Sequence, residues 1–121
     1  MNKSLISADP STTSFQVANL MEKGGIGAIL VKENGTPAGI ITDRDFAIKI
    51  ATQKLSLDTT IDKIASYPLV TIDSNESLVA AAKLMSSKKI RKLAVVEGGQ
   101  VIGIVTSTDL VTQLALLNDN S

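Results

Sequence analysis

Apolar positions along this chain change their period at regular intervals, and the changes mark out the elements. Leu5-Ile6 is a brief apolar segment, too short for a helix and followed by turn formers, so it reads as a short strand. Ser11-Thr12-Thr13-Ser14 then supplies helix-starting side chains, and Val17, Leu20 and Met21 follow at helical spacing. Two strands are predicted next, Ala28–Lys32 and Ala38–Thr42, flanking Glu33-Asn34-Gly35-Thr36-Pro37, where Asn-Gly offers the positive φ angles of a hairpin turn. A helix over Asp43–Gln53 ends the series.

The same order returns further along. Leu69-Val70-Thr71-Ile72 precedes Ser74-Asn75-Glu76, and an apolar stripe of Leu78, Ala81, Ala82 and Met85 follows. Strands over Leu93–Val96 and Val101–Thr106 flank Glu97-Gly98-Gly99-Gln100, and a helix is predicted over Ser107–Leu117. Sliding the chain against itself by 64 residues aligns Leu5–Ala51 with Leu69–Ala115 without a gap, and 14 of those 47 positions are identical. Among them are Met21/Met85, Gly39/Gly103, Ile40/Ile104, Thr42/Thr106 and Asp45/Asp109. The chain is an internal duplication.

One β-α-β-β-α unit has too little interior to stand alone, so two are expected to pack sheet to sheet about a pseudo-twofold axis, an α+β fold. The expected boundaries are 1–53 for the first repeat, 54–66 for a linker with a short helix near Thr60–Ala65, 67–117 for the second repeat, and 118–121 for a frayed tail.

Composition narrows the chemistry. The 121 residues include no Cys and no His, which removes thiol nucleophiles, disulfides, Cys/His zinc sites and imidazole acid–base catalysis. Twelve Lys and Arg balance twelve Asp and Glu, so no basic excess points to nucleic acid. The three aromatics, Phe15, Phe46 and Tyr67, are too few for a single-strand stacking platform. No stretch resembles a signal peptide or a membrane span, and a soluble cytoplasmic protein without membrane partners is expected.

The sharpest pattern is Gly-Ile-Ile-Thr-Asp-Arg-Asp at 39–45, with Gly-Ile-Val-Thr-Ser-Thr-Asp at 103–109. Each places Thr at a strand end and Asp three residues later, at the mouth of a helix. One reading is a capping box, in which the hydroxyl satisfies a free helix N–H and contributes about 1 kcal/mol. The other is a ligand site: free N–H groups and the helix dipole suit a phosphate, and a carboxylate accepts both hydroxyls of a ribose. The chain has only two Arg: Arg44 sits inside the first Thr-x-x-Asp, and Arg91 lies beside Lys92, just before the strand Leu93–Val96. Arg is the better phosphate fork. Alternatively, both are solvated surface cations, as in the run Lys88-Lys89-Ile90-Arg91-Lys92. Asp43 and Asp45 are read as capping and solvated rather than as a metal pair, and no metal site is expected.

The tandem unit, ending each time in Gly-h-h-Thr-x-x-Asp (h apolar), resembles a pair of CBS domains, the Bateman module. Tyr67-Pro68-Leu69-Val70-Thr71-Ile72, the spacing of Ala81 to Met85 and of Val17 to Met21, and Lys92-Leu93-Ala94-Val95-Val96 fit the same pattern. The resemblance covers nearly the whole chain and implies a free-standing, non-catalytic regulatory module. It also implies an adenine nucleotide (AMP, ADP or ATP) or S-adenosylmethionine as ligand, shared across the repeats, with any Mg²⁺ arriving on the polyphosphate and no cofactor required. Carried onto this sequence, the main site would combine Thr42, Arg44 and Asp45 with Val70, Thr71, Arg91, Lys92 and Ala94. A second, weaker site would combine Thr106 and Asp109 with Ile6, Ser7 and Ala28. The resemblance further implies a homodimer of modules, a disc of four repeats formed through the helices carrying Val17/Leu20/Met21 and Leu78/Ala82/Met85, and a regulated protein that the sequence does not name. The competing reading is an interaction or scaffold module with an empty cleft.

Overall fold

A computed structural model describes residues 5–119, with side chains described through 116. Its elements run β1 (Ser7–Ala8), α1 (Ser14–Gly24), β2 (Ala28–Glu33), β3 (Thr36–Thr42), α2 (Asp43–Gln53), a 3₁₀ turn (Ile61–Lys63), β4 (Thr71–Asp73), α3 (Leu78–Lys88), β5 (Lys92–Glu97), β6 (Gln100–Thr106) and α4 (Ser107–Asp119). The strands form two three-stranded sheets, ordered β1-β2-β3 and β4-β5-β6, and the fold class is α+β. Ile6–Leu69 make one compact unit, and the residues from Val70 onward make a second.

The two units repeat each other in detail. In each, the first strand runs parallel to the second and the second antiparallel to the third. Each hairpin has its register shift at the matching place, Val31/Lys32 and Val95/Val96. Each turn uses two positive φ angles, 53° and 77° at Asn34-Gly35, 58° and 79° at Gly98-Gly99. Those pairs let the turn follow the twist of its strands, and because only two residues are spent, the strands extend to Glu33 and Thr36, further than the five-residue turn in the sequence reading.

Helix starts follow from side-chain chemistry. Thr13 caps α1 through a reciprocal box with Gln16, at 3.2 and 3.0 Å, and Ser77 caps α3 by accepting from the Ala80 N–H at 3.0 Å. Val17 is fully buried with Ile29, Val31 and Ile41 in the first unit, and Met85 packs with Ala81, Leu93 and Leu110 in the second. The apolar stripes of α1 and α3 are therefore spent largely inside their own units. Among the described residues, the large apolar side chains that the helices leave exposed are Leu20 of the α1 stripe together with Phe15 on α1, Ile48 on α2, Val79 on α3, and Val111, Leu114 and Leu116 on α4.

The segment after α2 is not a spacer. Ile61 and Ile64 are fully buried in the first core, and the expected helix over Thr60–Ala65 shrinks to one 3₁₀ turn. Backbone carbonyls of Thr59 and Leu57 accept the first N–H groups of α1, from Ser14 at 2.8 Å and Phe15 at 3.0 Å. The Lys49 ammonium on α2 donates to the Ile64 carbonyl, and Ile40 and Ser66 exchange two backbone bonds along the outer edge of β3. A helix start cannot leave its donors bare in a buried setting, and here the connecting chain satisfies them. At the other end, α4 continues through Asn118 and Asp119, where a frayed tail was expected; 120 and 121 lie outside the described residues.

Candidate functional site

Both Thr-x-x-Asp segments form strand-to-helix junctions. Thr42 ends β3 with an extended backbone and is almost wholly buried, and its hydroxyl accepts the Asp45 N–H at 3.0 Å. Thr106 ends β6, and its hydroxyl accepts the Asp109 N–H, also at 3.0 Å. The capping reading is thus realised at both junctions.

The carboxylates differ. Asp109 Oδ2 accepts the backbone N–H of Thr106 at 2.9 Å, which closes a reciprocal box, and Asp109 takes part in a further interaction besides. Among the described residues no hydrogen bond or ion pair reaches the half-buried Asp45 carboxylate; its backbone N–H is its contribution to the cap. Next to it, the Arg44 side chain is exposed, while its backbone N–H donates to Asp43 Oδ1 at 2.8 Å. So Asp43 serves the helix start, and the first mouth presents one uncommitted carboxylate beside one guanidinium.

The remaining candidates fall along the strands. In the first unit, Ala28 begins β2 directly across from Thr42, the exposed Ser7 pairs with Leu30, and the Ile6 carbonyl accepts the Leu30 N–H at 2.9 Å. In the second unit, exposed Thr71 pairs with fully buried Ala94, and the Val70 carbonyl accepts the Ala94 N–H at 3.1 Å. Arg91 is exposed just before β5, and its carbonyl accepts the Ser107 N–H at 2.8 Å. Each unit therefore gathers part of both expected sites: Thr42 with Ala28, and Lys92 with Thr106.

That last pairing was not legible in the sequence. Ladder register sets Lys92 directly opposite Thr106, so this cation belongs to the surroundings of the second helix mouth, and it is itself engaged in a further interaction. Only the strand register reveals this, because in the chain Lys92 and Arg91 look alike.

Two open clefts lie within the first unit. One, about 690 Å³, is lined by Ile6 together with Gln16, Asn19, Leu20 and Lys23 of α1. Another, about 490 Å³, is lined by Met21, Ile26, Asp43 and Phe46. Neither includes Thr42 or Asp45. Among the described residues, no group of three or more acidic side chains is placed to hold a metal ion. No helix among them is long and apolar enough to cross a membrane.

Comparison with known proteins agrees with the duplicated architecture. An uncharacterized protein of Methanopyrus kandleri is 38% identical over 112 residues, covering 90% of this chain and 57% of that protein. The CBS domain-containing protein YhcV of Bacillus subtilis is 34% identical over 110 residues, covering 91% of this chain and 79% of its own length. The chain thus spans little more than half of the first relative and about four-fifths of the second. Among solved structures, the CBS domain pair of protein MJ0100, in complex with 5′-methylthioadenosine and S-adenosylmethionine, superposes with a TM-score of 0.78 at 30% identity and covers 93% of both chains. The family model for the CBS domain matches twice, over residues 1–52 and 61–116, and the chain belongs to the CBS-domain family as a tandem pair.

Proposed function

We propose that this CBS pair is a regulatory module that binds an adenine nucleotide, with Thr42, Arg44 and Asp45 reading ribose and phosphate. The observation that carries the reading is the Asp45 carboxylate: it stands at a helix mouth beside Arg44, and no described group occupies it. Ribose hydroxyls suit a two-oxygen acceptor, and a phosphate suits the guanidinium together with the positive end of α2. The likeness to a CBS pair that holds two adenosine-containing ligands supports adenine as the base. Signalling by such a module is a population shift, in which the ligand favours the arrangement it binds better. An energy-state sensor is the corresponding role, since AMP, ADP and ATP differ in the phosphates that Arg44 would read.

A thermal-shift panel tests this. AMP, ADP, ATP and S-adenosylmethionine should raise the melting temperature, and guanosine and cytidine nucleotides at the same concentration should not. Stabilisation by every nucleotide alike would reject adenine recognition.

The scaffold reading has its own observation. Helices α3 and α4 pack on one another and leave Val79, Val111, Leu114 and Leu116 exposed at 57, 66, 45 and 50%. Val111 and Leu114, three residues apart on one face of α4, suit a protein contact, and we propose a homodimer through them. Light scattering should find twice the 12.7 kDa chain mass, and a charge at Val111 should return the monomer.

A further inference from the structure

We infer that Asp109 is a structural helix cap and not a ribose acceptor, so that each chain takes one nucleotide, at Thr42–Asp45. The inference rests on the proposed function for the occupied site and goes beyond it in assigning the second Thr-x-x-Asp a different job. In sequence the two segments are equivalent: Thr and Asp occupy the same positions at both helix mouths. In the structure they are not. Both Thr hydroxyls accept the N–H three residues on, but only Asp109 returns the bond, with Oδ2 at 2.9 Å from the Thr106 backbone nitrogen.

A returned bond changes what a ligand meets. With Oδ2 committed to the part-buried Thr106 N–H, Asp109 could turn both of its oxygens to a pair of ribose hydroxyls only by giving up that bond, a penalty with no counterpart at Asp45. Nor does the second junction offer a guanidinium within the motif, since Thr108 stands where Arg44 stands in the first. Lys92 is opposite Thr106 in the ladder, yet it is already engaged. The same four-residue pattern thus closes on itself in one copy and stays available in the other.

The test uses the intact chain with alanine variants and two independent readouts. Calorimetric titration with AMP and with ATP should give one site per chain, lost in Asp45→Ala and kept within about twofold in Asp109→Ala. Thermal melting without ligand should reverse the order: Asp109→Ala lowers the midpoint by about 3–6 °C, the scale of a lost cap in a domain of this size, and Asp45→Ala by less than half of that. Thr106→Ala added to Asp109→Ala should cost less than the sum of the two, because they share one box. Two sites per chain would overturn the inference, as would equal melting losses in the two aspartate variants or additive losses in the double variant. If the wild-type chain binds neither nucleotide, the proposed function fails, and the melting comparison still decides whether Asp109 is the cap.

Discussion

The Cδ1–Cε1 edge of the Tyr67 ring lies against Gly39, so close that a side-chain carbon at position 39 would sit 2.6 Å from Tyr67 Cε1 and 2.9 Å from the Ser66 carbonyl oxygen. Gly39 is thus a space requirement on β3, next to the point where the connecting segment pairs with Ile40. The contact ties the segment before the second repeat to the strand that ends at Thr42.

Gly39→Ala is therefore expected to destabilise the protein by about 1–3 kcal/mol, as overpacking does. The Tyr67→Ala background should recover part of that loss and not all of it, because the Ser66 carbonyl remains. Urea denaturation of the two single variants and the double variant measures both figures.

Tyr67 is the only tyrosine and the chain has no tryptophan, so phenolate absorbance reports it directly. Burial of the ring, then the charges of Glu33 and Asp62, hold its phenol above the ordinary value. A raised acid binds its proton more tightly in the folded state, so its contribution is fully present below the unfolded value and is lost as pH rises through the folded one. The effect is small for a side chain that is 39% exposed. Spectroscopic titration should place the midpoint above that of the urea-unfolded chain, and Glu33→Gln should bring the two closer.

Segment 54–69 should behave as core at Ile61 and as surface at Leu57, although only three residues separate them. Ile61 is fully buried and Leu57 is 47% exposed. Ile61→Ala is expected to cost about 2–4 kcal/mol through the cavity it leaves, and Leu57→Ala less than about 0.5 kcal/mol. Comparable losses in denaturant titrations would mean the segment is not integrated as described.

Period and punctuation carried much of this fold in the sequence. The bounds of α2 are those read from the spacing of apolar residues between Thr42 and Lys54, because both ends are local: a hydroxyl cap and a left-handed residue, φ 53° at Lys54. The duplication made β2 through α2 and β5 through α4 legible together. Ile61 and Ile64 were not legible as core, since their partners Val17 and Ile41 lie far along the chain and no periodic stripe links them. For the same reason the sequence shows Lys92 as a neighbour of Arg91 and does not show its place opposite Thr106. The candidate site was legible as a motif, but the difference between Asp45 and Asp109 lies in which way each carboxylate is satisfied, which residue identity does not encode.

A cycle between protein and ligand isolates the proposed contact between Asp45 and the ribose. Calorimetry would compare AMP with 2′-deoxy-AMP on the wild-type chain and on Asp45→Ala. A hydrogen bond to a charged group contributes about 1.5–3 kcal/mol, so the wild-type chain should bind the deoxy ligand roughly 10- to 150-fold more weakly. Asp45→Ala should bind both ligands weakly and within about twofold of each other. An undiminished preference for AMP in Asp45→Ala, or no preference in the wild-type chain, would contradict the account.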